Sequence, residues 1–251
     1  MSLSIENLYF SYNSAPVLKG VSFSADYGEL IYILGPNGVG KSTLFRCILG
    51  QLKSSRGNIL ISGKSISDYS IAELAKEVAY IPQSYKPTFN YSVLQTVTMG
   101  RTVYMPLFAS PSDSDYEKSR EVLEKLGISD LAERGVTEIS GGERQLVLIA
   151  RALVQDAKIL IMDEPTSNLD YGNQLRIQNK MRHLSEEGML VIQSSHNPQN
   201  ALQFADRVIA MYDGMNVASG KPGEVINPNL MEQLYSLKVE VRDGQLIPFL
   251  T

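Results

Sequence analysis

The chain has 251 residues, 43% of them hydrophobic, so it can bury a substantial core as one large domain or two coupled lobes. Its net charge of −4 provides no basic surface for nucleic acid, and we expect no nucleic-acid partner. The single cysteine, Cys47, excludes an intrachain disulfide and is expected to be a small buried residue in a reducing cytosol. No apolar run approaches the roughly 20 residues that a membrane-spanning helix requires, and residues 1–6 do not read as a secretory signal.

The first third of the chain reads as strands followed by short helical stretches. Residues 3–34 alternate apolar and polar side chains with turns near 13–14 and 27–28, which predicts antiparallel strands that lead into an apolar strand at 30–34. The predicted elements that follow are a helix at 43–49, a strand at 58–61 and a helix at 71–77.

Between residues 85 and 155 the apolar spacing becomes helical, and strands return after it. The predicted elements are helices at 93–101, 114–126 and 141–154, a loop at 105–111, and strands at 158–162, 189–194 and 207–212. Alternating strands and helices imply an α/β fold whose mostly parallel sheet is covered on both sides.

Residues 35–42 read Gly-Pro-Asn-Gly-Val-Gly-Lys-Ser and fit the complete phosphate-loop pattern, between a predicted strand and a predicted helix. The glycines let the backbone turn tightly and point N–H groups inward, and the helix N-terminus adds partial positive charge, so the loop can hold phosphate oxygens. Lys41 would reach the β- and γ-phosphates of ATP, and the Ser42 hydroxyl would bind Mg²⁺. The alternative is a glycine-rich turn that fits the pattern by chance. It would not account for the Lys-Ser pair or for the predicted strand and helix on either side of the loop. The residues predicted to contact nucleotide here are Gly35, Pro36, Asn37, Gly38, Val39, Gly40, Lys41, Ser42 and Thr43.

Two carboxylates end the apolar run at 159–162, which is typical of a strand buried on both faces of a parallel sheet. Asp163 would lie near the phosphate loop, because such sheets bind ligands at the carboxyl ends of their strands, and would hold Mg²⁺ through a water. Glu164 is placed to polarise the water that attacks the γ-phosphate. Alone, the block could be a solvated Asp-Glu-Pro turn; the phosphate loop favours the functional interpretation.

A third block, Ile-Ser-Gly-Gly-Glu at residues 139–143, lies between the other two. Leu146, Ile149 and Leu153 follow at helical spacing, so the block would begin a helix with a hydroxyl and bare amides facing an anion. In isolation it would read as an ordinary helix N-cap; its position between the phosphate loop and the acidic strand end indicates a nucleotide contact. The residues predicted to make it are Ser140, Gly141, Gly142 and Glu143.

The three blocks together resemble those of the ATP-binding-cassette family, the ATPase subunits of ABC transporters. That family's signature is usually Leu-Ser-Gly-Gly-Gln, from which Ile139 and Glu143 depart. The negative charge of Glu143 near a triphosphate would weaken nucleotide binding unless Arg144 compensates for it.

This resemblance covers essentially the whole chain and implies one ABC ATPase domain over residues 1–251. Its fold would be a P-loop NTPase of the α/β class, with a RecA-like core and an antiparallel β lobe built from residues 1–84 and 156–251. A helical subdomain over residues 85–155, which carries the signature, would interrupt them.

Smaller matches to the same family add candidate site residues. By resemblance, Tyr12 stacks on adenine, Gln83 reaches Mg²⁺ and senses the γ-phosphate, and His196 contacts the γ-phosphate. Tyr12 could instead be a strand aromatic facing the core, and Gln83 an exposed loop residue. Residues 167–170 match the segment that crosses to a partner subunit, although a simple helix N-cap also fits. His183 matches nothing and is expected on the surface. Catalysis is thus expected from Glu164, His196 and Lys41.

The resemblance also implies partners. Two copies would pair head to tail, with each ATP between the phosphate loop of one and the signature of the other. Transmembrane permease subunits, with an extracytoplasmic substrate-binding protein, would receive this chain as a peripheral subunit on the cytoplasmic side of the cell membrane. Tyr85, Phe89 and Tyr91 are expected to anchor the permease, unless they pack inside the helical subdomain.

The transported substrate is suggested by two stretches. Residues 91–101 and 223–241 look like the corresponding parts of metal-chelate importers, whose cargo includes iron siderophores, haem and cobalamin. Both stretches could equally be generic scaffold. The alternative function is a soluble ABC ATPase of iron–sulfur cluster assembly, which is similar in length and has no permease.

Overall fold

Strands and helices succeed one another along the whole described chain. The computed structural model describes residues 1–106, 108–167, 169–242 and 245–249. The elements in chain order are β1 (Leu3–Tyr12), β2 (Ala15–Ala25), β3 (Leu30–Leu34), α1 (Lys41–Ile48), β4 (Arg56–Ile61), β5 (Lys64–Ser65), α2 (Ile71–Glu77), β6 (Val78–Ile81), α3 (Val93–Thr98), α4 (Asp113–Leu126), α5 (Gly141–Leu153), β7 (Ile159–Met162), α6 (Tyr171–Glu186), β8 (Leu190–Ser195), α7 (Pro198–Phe204), β9 (Arg207–Tyr212), β10 (Met215–Gly220), α8 (Pro222–Val225), α9 (Pro228–Tyr235), β11 (Val239–Arg242) and β12 (Gln245–Pro248).

The central sheet has the strand order β10-β9-β3-β8-β7-β6. Its strands run parallel except for β10, which pairs antiparallel with β9 at one edge. Every residue of β3 and β7 is buried, because helices or the second sheet cover both faces. Leu34 pairs with Ser195 and Met162 with Gln193, so the chain leaves β3, β7 and β8 at the same edge.

An antiparallel sheet of order β2-β1-β4-β5 forms the β lobe. Leu3 and Ile5 are buried, and they belong to one apolar core with Ile31 and Ile33 from one face of β3. Cys47 of α1 is buried in the same core, as expected for a small apolar residue. The predicted antiparallel strands that lead into β3 are therefore confirmed as β1 and β2, and they pack on one face of the central sheet.

The opposite face of the central sheet carries the helices. Tyr32 and Leu34 alternate along β3 with Ile31 and Ile33, so they lie on its other face. There they join a second core with residues of α3, α4, α5 and α6. Serines start four of the described helices with capping boxes, in which a side chain three residues on returns a hydrogen bond. These serines are Ser70, Ser92, Ser112 and Ser140.

Two sequence expectations need correction. The helix expected over 93–101 is α-helical only to Thr98 and continues as a 3₁₀ helix over Met99–Tyr104, where a Cβ on Gly100 would lie 2.1 Å from the Arg151 carbonyl oxygen. Separately, α8, α9 and β10 to β12 were not predicted, because they are short and most of their residues are not buried. Asn168, from the segment expected to cross to a partner, lies outside the described residues.

Candidate nucleotide site

The phosphate loop connects β3 to α1 and is shaped by close contacts at its glycines. A Cβ on Gly35 would lie 2.5 Å from the Met211 carbonyl oxygen, so no side chain fits where the loop leaves the sheet. Gly40 has φ +109° just before α1, and a Cβ there would lie 3.2 Å from the Val17 carbonyl oxygen. Glycine at both positions follows from the loop's contacts with β9 and β2.

Lys41 is folded back over its own loop. Its Nζ donates hydrogen bonds of 2.7 Å to the Gly35 carbonyl and 3.1 Å to the Pro36 carbonyl, and only 6% of the residue is exposed. Burial lowers the pKa of the Lys41 ammonium, and the negative charges of Glu164 and Asp163 oppose that shift. The charge that would hold phosphates therefore rests on loop carbonyls and lies 3.9 Å from a Glu164 oxygen.

The acidic pair after β7 is held by a residue that the sequence analysis did not single out. Ser194, near the end of β8, donates a 2.6 Å hydrogen bond to Asp163 Oδ1 and accepts one of 2.9 Å from the Glu164 backbone N–H. Glu164 has φ +47°, an uncommon conformation for a residue other than glycine. Ser194 therefore fixes the strained turn that points the Glu164 carboxylate at the phosphate loop.

Three predicted residues converge on the Glu164 carboxylate. Gln83 Nε2 donates a 3.2 Å hydrogen bond to Glu164 Oε2, and His196 Nδ1 lies 3.1 Å from the same oxygen. Glu164 is 8% exposed, whereas the His196 side chain is 54% exposed. The carboxylate is thus shielded and oriented by neighbours from three separate segments, with Lys41 facing its other oxygen.

A cleft of about 320 Å³ opens over these groups. Its lining residues are Asn37, Gly38, Gly40, Lys41, Ser42, Thr43, Gln83 and Glu164. Val39 packs into the β-lobe core instead, and Gly35 and Asp163 lie buried beside the cleft. A contact of Val39 with nucleotide would therefore run through its backbone.

The oxygen donors present fit Mg²⁺. Ser42 and Gln83 line the cleft, and Asp163 contributes a carboxylate at the end of β7. Among the described residues, no group of three or more His, Cys, Asp or Glu side chains could hold a metal ion. A single carboxylate with neutral oxygens suits a hard cation that keeps part of its water and shares substrate phosphates.

Tyr12 lies at the exposed end of β1. Its ring is 43% exposed and meets the buried Phe10 ring edge-on, with centroids 4.8 Å apart. The alternative of a core-facing aromatic is therefore wrong, although Tyr12 does not line the cleft. His183 is exposed, as expected, with Nε2 3.4 Å from a Glu187 oxygen.

The signature block forms the first turn of α5. Ser140 Oγ accepts a 3.3 Å hydrogen bond from the Glu143 N–H, and Glu143 Oε2 accepts one of 2.8 Å from the Ser140 N–H. Hydrogen bonds from Ser140 lower the pKa of Glu143 below its ordinary value. The Arg144 guanidinium donates hydrogen bonds to the Val136 and Ile139 carbonyls rather than to the Glu143 carboxylate.

The signature does not line the phosphate cleft of its own chain. A Cβ on Gly142 would lie 2.6 Å from the Asn173 side chain, so α5 packs closely on the first turn of α6. Asp170 caps α6 by accepting a 3.0 Å hydrogen bond from the Asn173 N–H, which confirms the N-cap expected within residues 167–170.

The three aromatics after Gln83 differ in exposure. Tyr85 packs against the helical core and lines a groove of about 280 Å³, whereas Phe89 is 65% and Tyr91 44% exposed. The ring centroids of Phe89 and Tyr91 lie 5.8 Å apart. Of the three aromatics, Tyr85 is the one that packs inside the helical region, as the alternative prediction had it. The groove's other lining residues are Tyr80, Ile81, Pro82, Met99, Gly100, Thr102, Val103, Leu148, Arg151, Ala152 and Gln155.

Known proteins are similar to this chain in sequence and in architecture. The model of the family described as ABC transporter matches residues 18–167. An uncharacterized ABC transporter ATP-binding protein of Haemophilus influenzae is 37% identical over 241 residues, covering 96% of this chain and 92% of that protein. A probable iron chelatin transport ATP-binding protein of Helicobacter pylori is 33% identical over 253 residues, covering 99% of each.

A solved structure of a candidate metal-chelate type ABC transporter in an inward-facing conformation aligns with a TM-score of 0.87 and 30% identity, over 100% of this chain and 98% of that one. The fold is therefore the expected P-loop NTPase fold of the α/β class, with helical and β subdomains. This chain belongs to the ABC transporter family. It is an ATP-binding subunit, and this family of subunits is a family of ATPases. Within the part of the chain that the structure describes, no helix is both long and apolar enough to cross a bilayer.

Proposed function

We propose that this chain hydrolyses ATP to drive import of a metal chelate, such as a ferric siderophore, haem or cobalamin, through a separate permease. The observation that carries the catalytic assignment is the convergence of Gln83, His196 and Lys41 on Glu164. The cargo class is supported by the names of the Helicobacter pylori relative and of the aligned transporter, together with full-length coverage of both. These names favour import over iron–sulfur cluster assembly.

In this proposal the cleft holds the triphosphate. Lys41 leaves the loop carbonyls for the β- and γ-phosphates, backbone N–H groups of the loop bind phosphate oxygens, and Tyr12 stacks on adenine. Glu164 accepts a proton from the attacking water, and His196 contacts the γ-phosphate. Catalysis is then mainly positioning and charge stabilisation in a shielded carboxylate site.

Ser42, Gln83 and Asp163 would hold Mg²⁺. When bound, the ion neutralises charge on the phosphate oxygens. Because the Gln83 amide nitrogen donates a hydrogen bond to Glu164, its amide oxygen would be the atom that binds the ion. The same side chain would then connect the ion to the base.

The signature residues require a second copy in this proposal. Ser140, Gly141, Gly142 and Glu143 begin α5 outside their own chain's cleft, which supports a role on the ATP of a partner. A head-to-tail pair places each N-terminal turn of α5 against a γ-phosphate held by the other Lys41. Hydrolysis removes the bridging charge and lets the pair reopen.

The permease would dock beside Gln83. The groove that Tyr85 lines, together with the exposed pair Phe89 and Tyr91, offers a partly apolar surface for a short cytoplasmic helix. Docking there would hold the subunit peripherally on the cytoplasmic side of the cell membrane. Movement at the docking surface would reach the base through the Gln83–Glu164 hydrogen bond.

The test is uptake by a strain that lacks this chain. We expect reduced uptake of radiolabelled ferric siderophore, haem or cobalamin, restored by the wild-type chain and not by Glu164→Gln expressed at the same level. Normal uptake of all three with lowered activity of iron–sulfur enzymes would overturn import and favour cluster assembly. Copurification with a multi-spanning membrane protein should accompany the restored uptake.

A further inference from the structure

Arg151 places a positive charge in the groove that Tyr85 lines. All other described residues that line this groove are uncharged. Arg151 belongs to the last turn of α5, and a Cβ on Gly100 would lie 2.1 Å from its carbonyl oxygen. The backbone of Arg151 is therefore held closely against the 3₁₀ helix that forms part of the groove, and its side chain projects from a rigid wall.

Within the described part of the chain, the Arg151 guanidinium has no ion-pair partner. Arg101 differs from it, because its guanidinium donates hydrogen bonds of 3.1 Å to both Asp115 and Asp156. Arg151 is only half-buried, so its charge remains accessible to a partner. A guanidinium presents its N–H donors in a planar fork that matches a carboxylate. This unpaired fork in an uncharged groove fits a carboxylate from outside the chain.

The apolar lining describes the rest of the partner. The aliphatic side chains that line the groove are those of Ile81, Pro82, Met99, Val103, Leu148 and Ala152. A groove of about 280 Å³ accepts a few apolar side chains from one face of a short helix. Once that face excludes water, attraction between the guanidinium and a carboxylate on the same helix becomes stronger than at an open surface.

The sign of the charge also excludes partners. Cytoplasmic segments of membrane proteins carry an excess of lysine and arginine, and Arg151 repels such a basic segment. Like charges across an interface suppress wrong pairings, so a cation in the groove acts as a filter. The groove therefore favours the less common cytoplasmic helix that carries an acidic residue on its apolar face.

We propose that Arg151 is a specificity-determining residue for permease docking, which pairs with an aspartate or glutamate on the apolar face of the permease's cytoplasmic helix. The exposed rings of Phe89 and Tyr91 supply apolar contacts to the same helix. This inference rests on the proposed docking function, and it names the chemistry of the partner that this groove accepts.

The test measures binding of Arg151 variants to the permease that copurifies with the wild-type chain, reconstituted in lipid nanodiscs. Arg151→Met keeps most of the apolar stem and should raise the Kd about 30-fold or more, as when one partner of a buried interfacial charge pair is lost. Arg151→Glu should raise the Kd further through repulsion. The matched control is Arg120→Glu, an exposed arginine of α4 that does not line the groove, and it should bind as wild type.

A charge swap separates this contact from a role inside the subunit. Changing the acidic residue of the permease helix to arginine should weaken binding of the wild-type chain and restore binding of Arg151→Glu. If Arg151 merely stabilises the last turn of α5, Arg151→Met will melt lower and bind the permease normally, which would overturn the inference.

The permease side of the swap keeps the inference testable even where an Arg151 variant folds poorly. Unchanged binding of the wild-type chain after reversal of each acidic residue in the permease's cytoplasmic segments would overturn the inference and leave docking in place. A wild-type chain that copurifies with no membrane protein would instead overturn the proposed docking function.

Discussion

The side-chain amide of Gln83 donates a 3.2 Å hydrogen bond to the Glu164 carboxylate, across 81 residues of sequence. Gln83 follows β6 and precedes the aromatics of the proposed docking surface, whereas Glu164 follows β7 and faces the phosphate loop. Because β6 and β7 are paired neighbours, a displacement of the segment after β6 changes the surroundings of the base directly. This one contact connects the proposed docking surface with the proposed chemistry.

Replacing Glu164 with glutamine should abolish hydrolysis while preserving nucleotide binding. The general base is worth about 10²- to 10⁴-fold, so ATPase turnover should fall by that factor. With the γ-phosphate persisting, the variant should elute as a dimer from a sizing column in MgATP and as a monomer without it. The exposed Glu117→Gln serves as the control and should behave as wild type. Full activity in Glu164→Gln would assign the base elsewhere.

Lys41→Ala and Tyr12→Ala should weaken MgATP binding to different extents. Lys41→Ala removes the ammonium from the cleft and should abolish tight binding. Tyr12→Ala should weaken binding by about 1–3 kcal/mol, the usual worth of stacking on a base. Because the Tyr12 side chain is 43% exposed, the melting temperature of the Tyr12→Ala variant should stay close to that of the wild type. Calorimetric titration and thermal melting on one sample measure both, and a lower melting temperature at unchanged affinity would contradict the stacking role.

Glu143→Gln should strengthen the ATP-bound dimer. Glutamine can replace glutamate in a capping box, so α5 should keep its stability, while a negative charge near the partner's phosphates disappears. We expect the dissociation constant of the dimer, measured in a Glu164→Gln background, to fall several-fold. Ser140→Ala is the opposing control, since loss of the cap costs about 1 kcal/mol and removes the hydroxyl. A weaker dimer in Glu143→Gln would mean that its charge is paired in the complex.

Phe89→Asp should uncouple transport without harming the isolated subunit. Phe89 is 65% exposed, so aspartate should leave the melting temperature and basal ATPase activity close to wild type. Substrate uptake by the assembled transporter should be lost, because an interface anchor becomes a charge. Phe108→Asp, at a residue that is 97% exposed on another loop, is the control. Assembly of Phe89→Asp with its permease at wild-type yield would refute docking at this surface.

The buried pair of Arg101 and Asp115 should make stability depend on pH. Ser112 and Arg101 donate to the Asp115 carboxylate and hold its pKa below the ordinary value of 3.8. A carboxyl whose pKa is lowered by folding stabilises the protein above its unfolded pKa and loses that effect as pH falls through the folded pKa. Asp115→Asn should therefore lower the free energy of unfolding at pH 7 by about 2 kcal/mol, the worth of a hydrogen bond to a charged group, since Arg101 keeps Asp156 as a partner.

This difference between wild type and Asp115→Asn should shrink below pH 3.8, as the wild-type carboxylate becomes protonated. Urea unfolding at pH 7, about pH 5 and below pH 3.8 measures it. The exposed Asp113→Asn, in the same first turn of α4, should show little difference at any pH. A constant difference between wild type and Asp115→Asn across this range would show that its charge is not responsible.

Local spacing in the sequence was enough to predict the loops and helix starts of the site. The glycines before Lys41, the apolar run before Asp163 and the serine before two glycines at 140–142 each specify one loop or helix start, because turn geometry, strand burial and N-capping act within a few residues. Helical and strand periodicities likewise located most elements of the central sheet within a few residues of their observed bounds.

Which distant side chains meet depends on the strand order and on packing between elements. Ser194 holds both acidic residues because β8 lies beside β7, and no spacing in the sequence reports that strand order. The direction of the Arg144 guanidinium toward backbone carbonyls depends in the same way on packing between elements. Periodicity states which face of an element is buried, whereas the partner across that face is set by the topology of the whole chain.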